Sequence, residues 1–367
     1  MIVLESAIGN FVYSNGKKYS YFGGNNYLGL ANHPAVKKAV IQSVRKYGIN
    51  FSASRRTTGT ASIHLKLEKE LSFFKGKEDT VVFASGYQGN SILLEILKDR
   101  YSGIFTDSFA HASIHSGVPR DRSMVFYDHC NAEDLDALLS SVKPERPLII
   151  TDGLFALTGE IAPLDKIYPI MKKHKGLLIV DDAHATGILG KTGKGTPEHF
   201  NLPENENIFQ TETMSKALGG YGGFISGSKS LTEMIREKST TYQASTALPP
   251  PVVAAGIASL KIINENPDLR IQLIEKAVRL KEKVASLGFE TTKDNTPIIP
   301  LIMSTPDKAK NLSLFLEKNG IIVPFMNYPF NREMYILRIA ITASHSIAQI
   351  KTLLDNIKKW IKTNGKG

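Results

Sequence analysis

Thr213-Met214-Ser215-Lys216-Ala217-Leu218-Gly219-Gly220 is the stretch on which the reading of this chain turns. A lysine stands there between a hydroxyl-bearing approach and a glycine-rich exit. An amine in that setting can carry an aldehyde cofactor covalently, hydroxyls can hold a phosphate, and glycines let the backbone pass close to a flat ring. Upstream, the apolar run Gly176-Leu177-Leu178-Ile179-Val180 leads into Asp181-Asp182-Ala183-His184. That run reads as a buried strand ending in an acid, and an acid there suits a pyridinium nitrogen, so that the ring can withdraw electrons. In this order the two segments point to a pyridoxal 5'-phosphate (PLP) enzyme, with Lys216 holding the cofactor and Asp181 tuning it.

Around these segments, short apolar runs alternate with longer amphipathic ones. Residues 80–84, 102–106, 123–127, 147–151, 177–180 and 207–211 read as strands, with helices at 131–142 and 167–174 between some of them. Such alternation specifies an α/β fold with a largely parallel sheet, whose ligands sit at the carboxyl ends of the strands. From about Pro267 the pattern changes to a long amphipathic segment at 269–287, strands at 298–303, 321–324 and 335–341, a helix at 307–319 and a last helix. This reads as a smaller α+β domain. Pro249-Pro250-Pro251 cannot lie inside a helix or a central strand, so it marks a turn or a helix start.

Composition narrows the class. With 42% hydrophobic and 22% charged residues, the 367-residue chain has the make-up of an ordinary globular protein with ample core. No apolar run reaches the ~20 residues of a membrane span, and the first residues lack the basic-then-apolar order of a secretory leader. Cys130, the single cysteine, excludes an intrachain disulfide and offers no C-x-x-C metal motif. A cytoplasmic protein without a metal is expected. The net charge of +10 comes from lysines scattered among acids, so no nucleic-acid partner is expected. The cluster Lys358-Lys359-Trp360-Ile361-Lys362 reads as a solvated helix face; a positive field that draws in an anionic substrate is the other reading.

Further candidates surround the lysine. His111 lies in a segment starting at Asp107, where an imidazole can stack on a ring and move protons, whereas His115 reads as structural. Three residues after Asp181, His184 is placed for a ring oxygen. Ser85-Gly86-Tyr87 follows a strand and precedes the helix-like residues 88–97, so its backbone N–H groups suit a phosphate, with Thr213 and Ser215 adding hydroxyls. Arg338 interrupts an apolar strand; a charge there is costly unless paired, and its guanidinium fits a carboxylate.

Asn25-Asn26-Tyr27-Leu28-Gly29-Leu30, Ser54-Arg55 with Gly59 and His64, Asp107 with His111-Ala112-Ser113, Thr151-Asp152-Gly153, Asp181-Asp182-Ala183-His184, Thr213 with Lys216 and Gly219-Gly220, and Leu337-Arg338-Ile339 resemble, in order, the motifs of the α-oxoamine synthase family, a branch of fold-type I PLP enzymes. The resemblance implies a large PLP-binding domain over 46–260 with a mostly parallel sheet and a small α+β C-terminal domain over 261–367, which residues 1–45 join. It implies a C-acyltransferase that condenses an amino acid with an acyl-CoA, usually with loss of carbon dioxide. Lys216 would then hold PLP, Asp181 its ring nitrogen and His184 its phenolic oxygen, with His111 stacked on the ring. Gly86, Tyr87 and Thr213 would hold the phosphate, and Asn25 and Arg338 the substrate carboxylate. It also implies a homodimer with shared active sites, in which Ser245-Thr246 reach the partner's phosphate.

The chain departs from the family at Phe155-Ala156-Leu157-Thr158-Gly159, where a serine is usual in place of Ala156 and would add a hydroxyl contact. It also starts close to the Asn-Tyr-Leu-Gly motif, which leaves the acyl donor open. A PLP-dependent aminotransferase, using the same lysine and acid without CoA, is the alternative, and a non-enzymatic binding protein is a further one.

Overall fold

A computed structural model of the chain describes residues 2–327 and 334–364. The backbone divides into two compact units, one of Met1–His33, Ala156–Glu160 and Asn266–Gly367, the other of Pro34–Phe155 and Ile161–Glu265.

The smaller unit opens with a hairpin of β1 (Phe11–Ser14) and β2 (Lys17–Tyr21). Asn15 and Gly16 form its turn with φ of 49° and 67°, the positive pair that a tight two-residue hairpin requires.

In the larger unit, β3 (Asp79–Phe83), β4 (Gly103–Asp107), β5 (Met124–Tyr127), β6 (Pro147–Asp152), β7 (Leu177–Asp181), β8 (Ile208–Thr213) and β9 (Gly223–Gly227) form one sheet in the order β3-β9-β8-β7-β6-β4-β5. Neighbours from β8 to β5 run parallel, and β9 runs against both its neighbours. β7 is buried along its whole length. Leu177 and Ile179 pack into one core with Ile92, Leu93 and Ile235, while Leu178 and Val180 enter the other with Leu135, Leu164 and Ile167. A parallel strand covered on both faces has to be apolar at every position, and each such side chain contributes about 1.5–3 kcal/mol on burial.

In the smaller unit, β10 (Ile298–Met303), β13 (Tyr335–Ala340) and β12 (Phe325–Asn327) form an antiparallel sheet in that order, while the short β11 (Ile321–Ile322) pairs with β2. Thr305 caps the helix Pro306–Lys318 by accepting the Lys308 N–H at 3.3 Å. On the last helix, Ile347–Asn364, Lys358 and Lys359 are exposed, and Trp360 is buried with its indole N–H donating to Asn311 at 2.7 Å.

The strands agree with the sequence reading to within a residue or two, and the proline run does begin a helix, Pro250–Glu265. Several features differ: the strands β1, β2 and β12 were not anticipated, and Ala156–Glu160, read as part of the large domain, groups with the smaller unit. β9 was not anticipated, because five residues bounded by glycines carry too little apolar pattern. Residues 34–45, expected with the N-terminal segment, fall in the helix Pro34–Tyr47, which packs on Pro250–Glu265 and groups with the larger unit. Among the described residues no helix is long and apolar enough to cross a membrane.

Candidate active site

The larger unit gathers its chemistry at the carboxyl ends of its parallel strands. Asp181 is the last residue of β7 and lies in register with Asp152, the last of β6. One Asp181 oxygen accepts from the Asn90 side chain at 2.7 Å and the other from the Ala183 N–H at 3.1 Å. Asn90 is itself fully committed: its amide also donates to Ser113 Oγ at 2.9 Å, and its oxygen accepts from Thr211 at 3.1 Å. Asp181, 6% exposed, is therefore held in one orientation by a buried helix side chain.

Asp152 has a different setting. Its Oδ2 accepts the His111 backbone N–H at 2.9 Å. Burial, and then the charges of Asp181 and Asp107, push its carboxyl well above the usual range, against the opposing pull of Lys216 and the His111 N–H. Burial and its acidic neighbours thus favour the protonated form of Asp152.

His111 caps the helix Ala112–Gly117, its Nδ1 accepting the Ser113 N–H at 3.2 Å with Ser113 Oγ at 2.8 Å. An accepting Nδ1 leaves the neutral ring's proton on Nε2. Burial is the main reason its pKa is lowered; Lys216 and His115 act in the same direction and Asp181 opposes them. The ring is held edge-on to Tyr87, at 6.2 Å between centroids. His115 instead stacks on Phe126 and reaches the Ala110 carbonyl at 3.3 Å.

Lys216 lies in the β8–β9 connection, a tight turn closed by Met214 N–H to Gly222 O at 2.9 Å and Gly219 N–H to Lys216 O at 3.0 Å. Its charge acts on both His111 and Asp152. Beside it, Gly86 approaches so closely that a Cβ would fall 2.7 Å from Thr213 Cβ, and a Cβ on Gly223 would meet Gly86 Cα at 2.7 Å. Only glycines permit this approach, which brings the start of the helix Tyr87–Ile96 against Thr213. Ser85 Oγ accepts the Tyr87 N–H at 3.3 Å, and Ser215 Oγ lies 2.8 Å from Thr213 Oγ1. His184 is buried in the turn after β7. Ser245 accepts from Gln88 at 3.1 Å, and Thr246 forms a bridge with Ser54.

The other candidates, Asn25 and Arg338, belong to the smaller unit. Arg338, on β13 and 5% exposed, donates from Nε to the Ala156 carbonyl at 2.5 Å and from Nη2 to Asn25 Oδ1 at 2.9 Å and Tyr27 OH at 3.2 Å. These acceptors are neutral, and Arg338 makes no ion pair among the described residues. A buried guanidinium so placed is set up for an anion. Burial raises the Tyr27 phenol, and Arg338 partly offsets that rise.

The sequence reading had given no role to Asn90, Ser113, Thr211 or the carbonyl of Ala156. Asn90 left a weak signal, a polar residue two positions before the apolar Ile92-Leu93-Leu94 of its helix. The Ala156 carbonyl left none, because any residue supplies one.

The model of the family described as aminotransferase class I and II matches residues 17–357, and the chain belongs to that family. Within it, relatives and solved structures alike assign the chain to the α-oxoamine synthase branch. An 8-amino-7-oxononanoate synthase of Thermoanaerobacter pseudethanolicus is 38% identical over 363 residues, 98% of this chain and 92% of the relative. One from Lysinibacillus sphaericus is 36% identical over 357 residues, covering 96% and 92%. A serine palmitoyltransferase from S. paucimobilis with bound PLP–myriocin aldimine superposes with a TM-score of 0.92 at 28% identity, covering 99% of this chain and 92% of that one. An 8-amino-7-oxononanoate synthase from Francisella tularensis gives 0.81 at 27% identity, covering 94% and 98%.

Proposed function

We propose that the protein is a PLP-dependent C-acyltransferase that condenses an amino acid with an acyl-CoA, releasing CoA and carbon dioxide to leave an aminoketone, in the manner of 8-amino-7-oxononanoate synthase or glycine C-acetyltransferase. The observation that carries this reading is the Asp181 carboxylate, fixed by Asn90 and Ala183 at the strand end whose electrostatic neighbours include Lys216 and His111. The residues fit PLP: an oriented acid for a ring nitrogen, a glycine-to-glycine approach at a helix start, and the hydroxyls of Thr213 and Ser215 for a phosphate.

Bound there, PLP supplies an electron sink for negative charge developing at the Cα of the amino acid. Lys216 would hold the cofactor through Nζ, and its amine would be the group that takes the Cα proton. Asp181 would pair with the ring nitrogen and favour its protonated form. His111, whose Nδ1 accepts from Ser113, would offer a flat face to the ring, and His184 would serve the phenolic oxygen. Ser85, Gly86 and Tyr87 contribute to phosphate binding. Asn25 and Arg338 would take the substrate carboxylate, which suits a buried guanidinium whose partners among the described residues are neutral. The reading includes a cytoplasmic homodimer whose Thr246 reaches the partner's phosphate.

The test is release of CoA thiol by the PLP-loaded protein across a panel of amino acids and acyl-CoAs. Release is expected only with both substrates present and is expected to vanish in Lys216→Ala, a loss of at least ~10²–10⁴-fold from proton transfer alone. Conversion of PLP to pyridoxamine phosphate, reversed by an oxoacid and with no thiol released, would replace this reading with an aminotransferase.

A further inference from the structure

In the larger unit, three side chains outside the residues assigned above form an ordered series, Asp107, His129 and Cys130. Asp107 Oδ1 accepts from His129 Nδ1 at 2.8 Å, and its Oδ2 accepts the Cys130 backbone N–H at 2.8 Å. A carboxylate only accepts, so Nδ1 carries the proton toward Asp107, and Nε2 faces the thiol, whose Sγ lies 3.8 Å away. The imidazole is clamped on both sides, stacked on Phe109 at 4.2 Å and met edge-on by Phe155 at 4.4 Å. Cys130 has a φ of +53°, in the left-handed region that residues with a Cβ seldom adopt, and the bond to Asp107 holds it there. Asp107 is buried, the His129 side chain is 12% exposed, and Cys130 is half-buried.

We propose that Cys130 is a nucleophilic thiol, activated by His129 and oriented through Asp107, that reacts with small hydroperoxides. Nucleophile, base and orienting acid stand in the order that activated thiols use. A cation site is the weaker reading of the same atoms: Asp107 is occupied by hydrogen bonds, including one from the Phe109 N–H at 2.7 Å, which leaves Nε2 and Sγ where a catalytic zinc takes three protein ligands. In the reaction, the Sγ proton passes to His129 Nε2. The thiolate attacks the terminal peroxide oxygen, the S–O bond forms as O–O breaks, and the departing hydroxide or alkoxide takes the proton from His129. Sulfur is oxidised by two electrons to the sulfenic acid, and the peroxide is reduced to water or an alcohol. Titratable neighbours of the thiol among the described residues include His129, Asp107 and Tyr127, whose phenol is pushed up mainly by burial and also by Asp107 and Cys130.

The test needs one protein and one reagent, because the chain has a single cysteine. Hydrogen peroxide is added at pH 6 to the folded full-length protein and to the same protein unfolded in urea. Thiol loss is followed, and the early product is weighed for one added oxygen. An ordinary exposed thiol is ionised to only ~0.3% at this pH. The folded protein is expected to react about tenfold faster, after allowance for the lower nucleophilicity of a more acidic thiol. His129→Gln is expected to remove the advantage. A folded rate equal to or below the unfolded one overturns the proposal, and so does a folded His129→Gln protein that reacts as fast as the wild type.

Discussion

At the end of β7 the protein buries an acid, and in the middle of β13 it buries a base, by different means. Asp181 terminates a strand, where the chain turns and offers its own N–H at Ala183, and a helix side chain completes the shell. Arg338 lies inside a strand, and its acceptors arrive from Asn25, Tyr27 and Ala156, far away in sequence. The first shell supplies donors to an anion. The second, among the described residues, supplies neutral acceptors to a cation and no acid. A charge at a strand end can be served locally, whereas a charge within a strand depends on remote segments.

The strongest way to break this comparison is Asp181→Asn, which keeps the shape and removes the charge. Turnover of the PLP-loaded protein is expected to fall about 10²–10³-fold, with the KM for the amino acid little changed. Steady-state kinetics decide, and a retained kcat would make Asp181 a structural acid.

The second concerns the buried cation. Arg338→Lys preserves the charge but loses the planar fork, so the KM for the amino acid is expected to rise roughly 10- to 100-fold with a smaller change in kcat. An unchanged KM would show that the guanidinium serves the fold of the smaller unit and not a carboxylate.

The smallest effect sharpens the contrast between Asp181 and its register mate. The raised value of Asp152 means that the folded protein keeps a proton that the unfolded chain releases above the ordinary carboxylate value. That contribution to stability is fully present below the unfolded value and is lost as pH rises through the folded one. Asp152→Asn mimics the neutral form, so its Tm is expected to vary less than that of the wild type between about pH 4 and pH 8. Asp182 and Glu212, also raised chiefly by burial, are common to both proteins and cancel. Parallel Tm curves would mean that Asp152 is ionised in the fold.

These two regions were not equally legible in the sequence. Lys216, Asp181 and the parallel strands could be read because a strand buried on both faces has to be apolar throughout, and a polar residue at its end marks where it emerges. β9 could not, since its antiparallel pairing rests on neighbours β3 and β8 rather than on its own five residues. The role of Ala156 was equally hidden: the sequence reading noted the hydroxyl it lacks, while the structure uses its carbonyl to hold Arg338.

By itself the sequence determined the α/β class, the order of most elements and the residue types able to do chemistry, because periodicity and strand-end polarity are local properties of the chain. Tertiary structure alone decided that burial raises Asp152, that Asn90 orients Asp181, that Arg338 has only neutral acceptors among its described partners, and that His129 and Cys130 meet Asp107. Each of these depends on burial and on distances between segments that the linear order does not contain.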